Sequence, residues 1–262
     1  MDKRIKAAFF DVDWTLYDHH NRRYVPSGIE AIKRLKQKGV MVFVCSARPY
    51  ESLKQFGVFD LGIAWDGYIA CAGAYAKVGR RVIRKQSTPK QEVRRLLRIA
   101  KENSLCVQLV TPKTRFLTSP GNSYYEQYES VFRDWVDDVH PYSGEEVIGI
   151  LVFSPKEFDP LFAAAFPSYF IFRFAEYGVD IMDVPHIKGD AINNVLDYLG
   201  IEKEDAIAVG DDVQDISMKG AVGTFICMGN GKDEAKKAAD HVARRIEEDG
   251  LSLALEELGY LS

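Results

Sequence analysis

The sequence predicts an α/β fold with a doubly wound parallel sheet, into which a smaller α+β module is inserted. Near both ends of the chain, short continuous apolar runs alternate with helical patterns, which is typical of parallel strands covered on both faces. Between these regions, helices alternate with closely spaced strand-like runs. We therefore expect an α/β core formed by residues 1–83 and 185–262 and an inserted module formed by residues 84–184.

Composition limits the possible functions. The 262 residues are 47% hydrophobic, which is enough for one large domain or two modest ones with packed interiors. The 34 basic and 38 acidic residues give a net charge of −4, so nothing attracts the whole chain to nucleic acid or to a membrane. The N-terminal segment resembles neither a secretory signal nor a membrane span, and we expect a cytoplasmic protein. The cysteines are expected to be buried and reduced; they are Cys45, Cys71, Cys106 and Cys227.

The first third of the chain begins with alternating strand and helix patterns. Residues 7–10 are predicted to form a short buried strand, and SGIE at 27–30 is a capping-box signature that predicts the start of a helix. Gly39 follows the last residue of that helical pattern. Residues 40–44 then predict a second buried strand, and Pro49 stands where the next helix is expected to begin.

The last third repeats this alternation. Residues 188–190 open a helical pattern that continues to 199. Two further buried strands are predicted at 206–209 and 222–228. Because helices separate all of these strands, we expect them to be parallel and the active site to lie beyond their carboxyl ends.

The middle of the chain predicts a different kind of structure. A helix is expected after Thr88, which we interpret as its cap, and an aromatic helix is expected over residues 124–135. The spacing of its aromatic residues indicates the interior of the module, with substrate stacking as the alternative; they are Tyr124, Tyr125, Tyr128 and Phe132. The remaining predicted elements are strands at 106–111, 147–153, 169–174 and 179–184 and a helix at 158–166.

Charged and polar residues fall at the carboxyl ends of the predicted core strands. Because these ends meet at one edge of a parallel sheet, residues far apart in sequence are expected to share one site. They are Asp11 and Asp13 after the first strand, Ser46 and Arg48 after the second, Asp211, Asp212 and Asp215 after a later one, and Lys188 at the start of a helix.

This set of side chains indicates phosphate chemistry. Clustered carboxylates need a cation, and hard oxygen ligands suit Mg²⁺, which together with Lys188 makes a phosphate site. Asp11 is then a suitable nucleophile toward phosphorus and would form an acyl phosphate. Asp13 could protonate the leaving oxygen and later accept a proton from water, while Ser46 and backbone amides hold the phosphoryl oxygens.

Four segments in this order resemble the motifs of the haloacid dehalogenase superfamily, and specifically its Cof-type subfamily with a C2-type cap. They are DVDWT at 11–15, VCSAR at 44–48, Lys188-Gly189 and GDDVQD at 210–215. The segments at 228–231, 239–242 and 248–251 also resemble that subfamily, so the resemblance covers the whole chain. It implies a Rossmann-like core and an inserted cap that excludes water and selects the leaving group.

The resemblance implies a Mg²⁺-dependent phosphatase that acts on small phosphorylated metabolites, with sugar phosphates favoured, through an aspartyl phosphate on Asp11. The implied metal ligands are Asp11, the main-chain carbonyl of Asp13, and Asp211. The implied phosphate-binding residues are Ser46, Ala47, Arg48 and Lys188. The supporting residues are Asp215 and Gln214, with Asp212 a weaker candidate.

Four positions depart from the family pattern. Trp14 and Ala47 replace residues that are usually Gly, and Gln214 and Ala72 replace residues that are usually Asn. Because the nucleophile, acid, phosphate-binding and metal positions are retained, we expect these changes to alter which substrate fits rather than to abolish the chemistry. A phosphosugar mutase and a catalytically impaired phosphosugar-binding regulator remain alternatives.

The other charged or polar residues that attract attention have simpler interpretations. Arg48 could bind substrate or could cap a neighbouring helix, and His186 is interpreted as a loop histidine. The basic residues between 80 and 98 are interpreted as a solvated face. Candidates for substrate selection are Glu176, Tyr177 and Asp180. The sequence does not determine the oligomeric state.

Overall fold

The computed structural model describes residues 5–131, 138–182 and 187–261. The chain forms two compact units. The first comprises Met1–Ala47, Gly57–Arg84 and Ile187–Ser262, and the second comprises Arg48–Phe56 and Lys85–His186. Each unit is built on its own β-sheet.

The structure is a regular mixture of helices and strands. The strands are β1 (Ala7–Phe10), β2 (Tyr17–Asp18), β3 (Arg23–Tyr24), β4 (Met41–Cys45), β5 (Gly67–Ala70), β6 (Tyr75–Val78), β7 (Arg81–Lys85), β8 (Cys106–Val110), β9 (Arg115–Leu117), β10 (Asp138–Val139), β11 (Gly149–Phe153), β12 (Phe170–Ala175), β13 (Gly178–Met182), β14 (Ala206–Gly210), β15 (Thr224–Cys227) and β16 (His241–Val242). The α-helices are α1 (Pro26–Gln37), α2 (Tyr50–Gln55), α3 (Lys90–Glu102), α4 (Ser123–Val131), α5 (Asp159–Ala165), α6 (Lys188–Leu199), α7 (Asp233–Ala238) and α8 (Gly250–Glu257). Short 3₁₀ helices lie at Val58–Asp60, Cys71–Gly73, Lys156–Phe158, Lys203–Asp205, Val213–Ala221 and Ile246–Glu248.

The first unit contains an eight-stranded sheet in the order β16-β15-β14-β1-β4-β5-β6-β7. The strands from β16 to β5 are parallel, and β6 is antiparallel to β5. β1 lies in the middle, with Phe10 level with Val44 of β4 on one side and with Val209 of β14 on the other. The residues that follow these three strands therefore leave the sheet at one edge.

Both faces of this sheet are covered by helices. Phe10 packs into a cluster with residues of α1 and α8, while its neighbour Phe9 packs on the opposite face with residues of α6. Successive side chains of a strand point to opposite faces, so a strand buried on both sides is apolar throughout. This explains why the core strands are continuous apolar runs and confirms the predicted doubly wound α/β fold.

The second unit contains a six-stranded sheet in the order β10-β9-β8-β11-β13-β12. One face packs against α3 and α5, through buried residues such as Leu96 and Phe162. On the other face, Tyr125 and Tyr128 of α4 pack around Phe153 of β11. The aromatic side chains of α4 are thus interior residues, as the sequence predicted. The rest of the predicted aromatic helix, with Phe132, lies outside the described residues.

Two predicted helix caps are wrong. α1 has Pro26 at its first position and Val25 as its N-cap, and no side chain caps it. A proline is already fixed near the helical φ and lacks the N–H that a cap would satisfy, so it suits the first position. Ser27 instead donates a hydrogen bond to Asp249. Thr88 does not cap α3 either, since Pro89 is the N-cap of that helix and no side chain caps it. The Thr88 backbone N–H instead donates to Val147 across a β-bridge.

Other expectations can be compared directly. All four cysteines are buried and none forms a disulfide, as predicted. The side chains of Arg94, Arg95 and Arg98 on α3 are exposed, which agrees with a solvated face. His186 lies outside the described residues. Among the residues that the structure describes, no helix is long and apolar enough to cross a membrane.

Asp180 is an unusual residue of the second sheet. It lies on β13, opposite Leu151 of β11 and Phe172 of β12. Its Oδ1 atom is buried and has no hydrogen-bond partner among the described residues. Burial raises the pKa of this carboxyl to about 7. The charged form therefore destabilises the folded state.

We expect Asp180→Asn to stabilise the protein in a pH-dependent way. The folded carboxyl keeps its proton up to about pH 7, while the unfolded one loses it near its usual pKa of 3.8, so wild-type stability falls across that interval. The variant lacks this loss. The unfolding free energy of the variant should exceed that of the wild type by an amount that grows between about pH 4 and pH 7. The difference should reach roughly 1–4 kcal/mol and stay constant above about pH 7.

Urea unfolding measured at several pH values tests this expectation. Asp197→Asn, at an exposed position on α6, is the matched control and should show no such growth. An advantage of Asp180→Asn that is equal at pH 4 and pH 8 would contradict the interpretation.

Candidate active site

Lys188 connects two carboxylates at the edge of the first sheet. Its Nζ atom donates hydrogen bonds to Asp11 Oδ1 at 2.7 Å and to Asp215 Oδ1 at 2.6 Å. All three side chains are buried, with 4%, 7% and 1% of their side-chain surface exposed. This buried ion triad joins residues that are 177 and 27 positions apart.

Three elements bring the triad together. Asp11 directly follows β1, Lys188 is the first residue of α6, and Asp215 lies in the 3₁₀ helix that follows β14. The start of α6 packs closely on that 3₁₀ helix at Gly189, where a Cβ atom would lie 2.1 Å from the carbonyl oxygen of Ser217. A side chain at this position would therefore push Lys188 away from Asp215.

Asp215 also shapes the turn after β14. Its Oδ2 atom accepts hydrogen bonds from the backbone N–H groups of Asp211 at 2.9 Å and Asp212 at 3.0 Å. A Cβ atom on Gly210 would lie 2.4 Å from the same oxygen, so only glycine leaves room for the carboxylate there. The spacing of the GDDVQD segment is thus explained by one carboxylate that folds back over its own turn.

Three carboxylates converge on a small volume. One oxygen from each of Asp11, Asp211 and Asp215 lies within 4.8 Å of the others. Burial raises the pKa of Asp11, with Lys188 opposing and Asp215 adding to the rise. Burial also raises the pKa of Asp211, and the neighbouring carboxylates of Asp11 and Asp215 add to that rise. Such a cluster favours a cation with a preference for oxygen ligands.

The chemistry of this donor set fits a divalent metal ion. Both oxygens of Asp215 already accept hydrogen bonds, from Lys188 and from two backbone N–H groups. Asp11 and Asp211 are therefore better placed to be direct ligands, and Asp215 is better placed to orient its neighbours. Burial lowers the pKa of Lys188, but Asp11 and Asp215 outweigh this and hold it well above its ordinary value. Lys188 is therefore a permanent positive charge in the site.

Asp13 lies beside a residue that the sequence analysis did not select. Its Oδ1 atom is 2.6 Å from Nε2 of His19, the first residue after the β2 strand. The Asp13 and His19 side chains keep 27% and 23% of their surface exposed. The signal in the sequence was a pair of histidines, His19 and His20, close behind the DVDWT segment.

The predicted phosphate-binding residues fall in different surroundings. Ser46 follows β4, is 1% exposed, and its carbonyl accepts a hydrogen bond from Ala72. Ala47 is exposed and is the last residue of the first segment of the first unit. Arg48 belongs to the second unit, where its guanidinium lies 4.0 Å from the centre of the Phe56 ring. Arg48 also donates a hydrogen bond to Ser52 of α2, so both contacts give it a structural role beside this helix.

The two remaining candidates of the GDDVQD segment are less buried. Asp212 is exposed, and its carboxylate accepts a hydrogen bond from Val213 as the cap of the 3₁₀ helix. Gln214 is half-buried, and its main-chain carbonyl accepts a hydrogen bond from the Ser217 hydroxyl. Asp212 is joined to the carboxylate cluster through its backbone, whose N–H donates to Asp215 Oδ2.

Two of the departures from the family pattern occupy left-handed backbone. Trp14 has φ of +59° and Ala72 has φ of +51°. Glycine and asparagine adopt this region more easily than other residues, which accounts for their usual presence there. The Trp14 backbone is held by its own N–H donating to Tyr17 and by Asn230 donating to its carbonyl. The Trp14 ring contacts His19 and His20.

A family model described as haloacid dehalogenase-like hydrolase matches residues 8–255. The chain is 32% identical over 259 residues to a Bacillus subtilis (strain 168) protein named "Putative phosphatase YkrA", and the match covers 98% of each chain.

Solved structures have the same fold. A crystal structure of a hypothetical protein from Geobacillus kaustophilus HTA426 matches with a TM-score of 0.89 and 27% identity over 98% of this chain and 99% of the other. A structure described as the HAD subclass IIB sugar phosphatase BT4131 matches with a TM-score of 0.82 and 29% identity, over 97% of this chain and 99% of the other.

We expect Ala72→Gly to stabilise the protein by about 0.5–1 kcal/mol. The substitution removes the penalty of a left-handed alanine, and the greater freedom of glycine in the unfolded chain offsets part of that gain. The thermal unfolding midpoint measures the effect. The control is Ala31→Gly inside α1, which should destabilise, because helical backbone favours alanine and the buried methyl group is lost. A midpoint for Ala72→Gly below that of the wild type would contradict the proposed backbone strain at Ala72.

Proposed function

Because the chain belongs to the haloacid dehalogenase-like hydrolases, and relatives along its whole length are named as phosphatases, we propose that it hydrolyses small phosphorylated metabolites at Asp11. The observation that carries this proposal is the buried Lys188 bridge between Asp11 and Asp215. In this bridge the carboxylate of Asp11, the proposed nucleophile, lies beside a permanent positive charge and two further carboxylates.

Asp11 is the proposed nucleophile. A carboxylate oxygen of Asp11 attacks phosphorus, the bond from phosphorus to the ester oxygen breaks, and an aspartyl phosphate forms. Lys188 stays charged throughout because its pKa is high, so it can offset negative charge on the transferring phosphoryl group. Asp215 holds Lys188 in place and shapes the turn that presents Asp211.

Asp13 is the proposed general acid and base. In the first half-reaction it gives a proton to the ester oxygen as the alcohol leaves, and in the second it accepts a proton from the attacking water. Its partial exposure suits this exchange, because the alcohol must leave and water must enter. The hydroxyl of Ser46, one strand away, is proposed to donate to a phosphoryl oxygen.

A bound Mg²⁺ would offset the charges of the carboxylates and of the phosphoryl oxygens. We propose that Asp11, Asp211 and the main-chain carbonyl of Asp13 hold it. The donor set supports this, since two of these three residues contribute buried carboxylates.

Sugar phosphates are the proposed substrate class. The support is the 29% identity, over nearly the whole of both chains, with a structure described as a sugar phosphatase. The module at residues 84–184 is proposed to select among these substrates, as the resemblance to capped relatives implies.

We expect Asp11→Asn to lower phosphate release by at least about 1,000-fold on every substrate, because an amide is a poor nucleophile toward phosphorus. The measurement is release of inorganic phosphate with Mg²⁺ across sugar phosphates, nucleotides and p-nitrophenyl phosphate. Asp190→Asn, an exposed carboxyl at the start of α6, is the control and should keep wild-type rates.

The same panel separates the proposal from its main alternative. Equal rates for Asp11→Asn and wild type would overturn the mechanism. Isomerised sugar phosphate without free phosphate would instead indicate a mutase.

Removal of divalent metal is expected to abolish hydrolysis and to lower stability. Mg²⁺ should restore the rate and raise the thermal unfolding midpoint of the wild type, because it binds the folded carboxylate cluster. Asp211→Asn should lose most of this rise, while Asp190→Asn should keep it. An unchanged midpoint with and without millimolar Mg²⁺ would contradict the proposed ligand set.

A further inference from the structure

The loop behind the nucleophile brings a histidine onto the proposed acid. The chain leaves β1, passes Asp13, and returns through the β2–β3 hairpin, where Tyr17 pairs with Tyr24. This return places Nε2 of His19 at 2.6 Å from Asp13 Oδ1. Asp13 and His19 are six positions apart in the sequence, so their contact depends on the hairpin rather than on a helix or a strand ladder.

Two aromatic contacts hold the imidazole in this place. The Trp14 ring lies 5.0 Å from the His19 ring at an interplanar angle of 42°, and the Tyr17 ring lies 4.9 Å away at 76°. Tyr17 is in turn packed edge to face against Tyr24 of β3. Edge and tilted contacts of this kind are favourable for aromatic rings. The histidine is therefore packed between two rings rather than free on the surface.

The backbone around the histidine is also fixed. The buried Asp18 carboxylate accepts hydrogen bonds from the backbone N–H groups of His20 at 2.9 Å and Asn21 at 3.2 Å. On the other side, Asn230 donates to the Trp14 carbonyl at 2.8 Å. The segment from Trp14 to Asn21 is thus a small scaffold, which holds one imidazole against one carboxylate.

We infer that His19 is a positioning residue for Asp13 and that Trp14 serves to hold His19. This rests on the proposed function. We assign the imidazole proton to Nε2, so that His19 donates to Oδ1 of Asp13. This hydrogen bond limits rotation of the carboxyl group, and the acid proton is then carried on the other oxygen. Alignment of the acid with the leaving oxygen is required for proton transfer in the transition state. The bulky residue at position 14, which the chemistry of phosphoryl transfer does not itself require, has a use in this arrangement.

The step that His19 serves is the departure of the alcohol. The proton on Asp13 moves to the ester oxygen as its bond to phosphorus breaks, so the product leaves as a neutral alcohol and Asp13 becomes a carboxylate that still accepts from His19. Water then attacks the aspartyl phosphate and returns a proton to Asp13. His19 gains and loses no proton in this cycle. In the first half-reaction its positioning of Asp13 matters only where the leaving group needs a proton. In the second half-reaction, hydrolysis of the aspartyl phosphate, its effect is the same for every substrate.

The test compares two classes of ester. The p-nitrophenolate leaving group is weakly basic and departs without a proton, whereas an alkoxide requires one. We expect His19→Ala to lower the rate of leaving-group release in a single turnover, which reports the first half-reaction alone, at least about 10-fold on the alkyl phosphate that the wild type hydrolyses fastest, and less than about 3-fold on p-nitrophenyl phosphate. KM should change by less than about 3-fold on both, since positioning of the acid acts in the transition state.

Two matched variants accompany this one. His19→Gln keeps a donor near the position of Nε2 and should recover most of the rate on the alkyl ester. His20→Ala removes the neighbouring histidine, which also contacts Trp14 but is exposed, and should behave as wild type. Comparable circular dichroism spectra and unfolding midpoints check that each variant is folded.

A double-mutant cycle with Asp13→Asn separates positioning from a general structural effect. With the acid removed, His19→Ala should cause no further loss on the alkyl ester. Equal losses on both esters, or additive losses in the cycle, would overturn the inference. If the wild type releases phosphate from neither ester, the proposed function itself fails, and that result differs from all of these.

Discussion

A buried ammonium group between two buried carboxylates organises the first unit around its sheet edge. Removing three charged groups from water is costly, and the cost is recovered only if their geometry is well matched and their remaining oxygens find donors. Lys188 meets this requirement with contacts of 2.7 and 2.6 Å, and Asp215 meets it with two backbone N–H groups. The close packing at Gly189 and the space left by Gly210 are conditions for the same contacts.

The proposed nucleophile and the proposed acid lie in different surroundings. Asp11 is fixed at the end of a central strand, among charges that need a cation. Asp13, two residues later, lies in a loop where an aromatic scaffold and His19 orient it at the edge of solvent. A nucleophile benefits from a rigid, shielded position, while a proton donor must remain within reach of the departing alcohol and incoming water.

Much of the first unit could be predicted because its signals are local. β1 and the helix α6 follow from continuous apolar runs and helical spacing, and the charged residues at the strand ends can be recognised from these runs alone. The β2–β3 hairpin was not predicted, since its strands are two residues long and carry no alternating pattern. The left-handed residues Trp14 and Ala72 were recognised as departures, but their cause is a backbone angle that residue type alone does not reveal.

The sequence by itself determined the α/β class, the inserted module and which side chains could share a site, because apolar periodicity and the edge rule for parallel strands require no coordinates. The tertiary structure decided which of those side chains meet. It joined Lys188 to Asp215 across 27 residues and placed Arg48 in the second unit. It also brought Nε2 of His19 within hydrogen-bond distance of Asp13 Oδ1. These outcomes depend on turns and on packing between segments far apart in the chain, which local sequence patterns do not reveal.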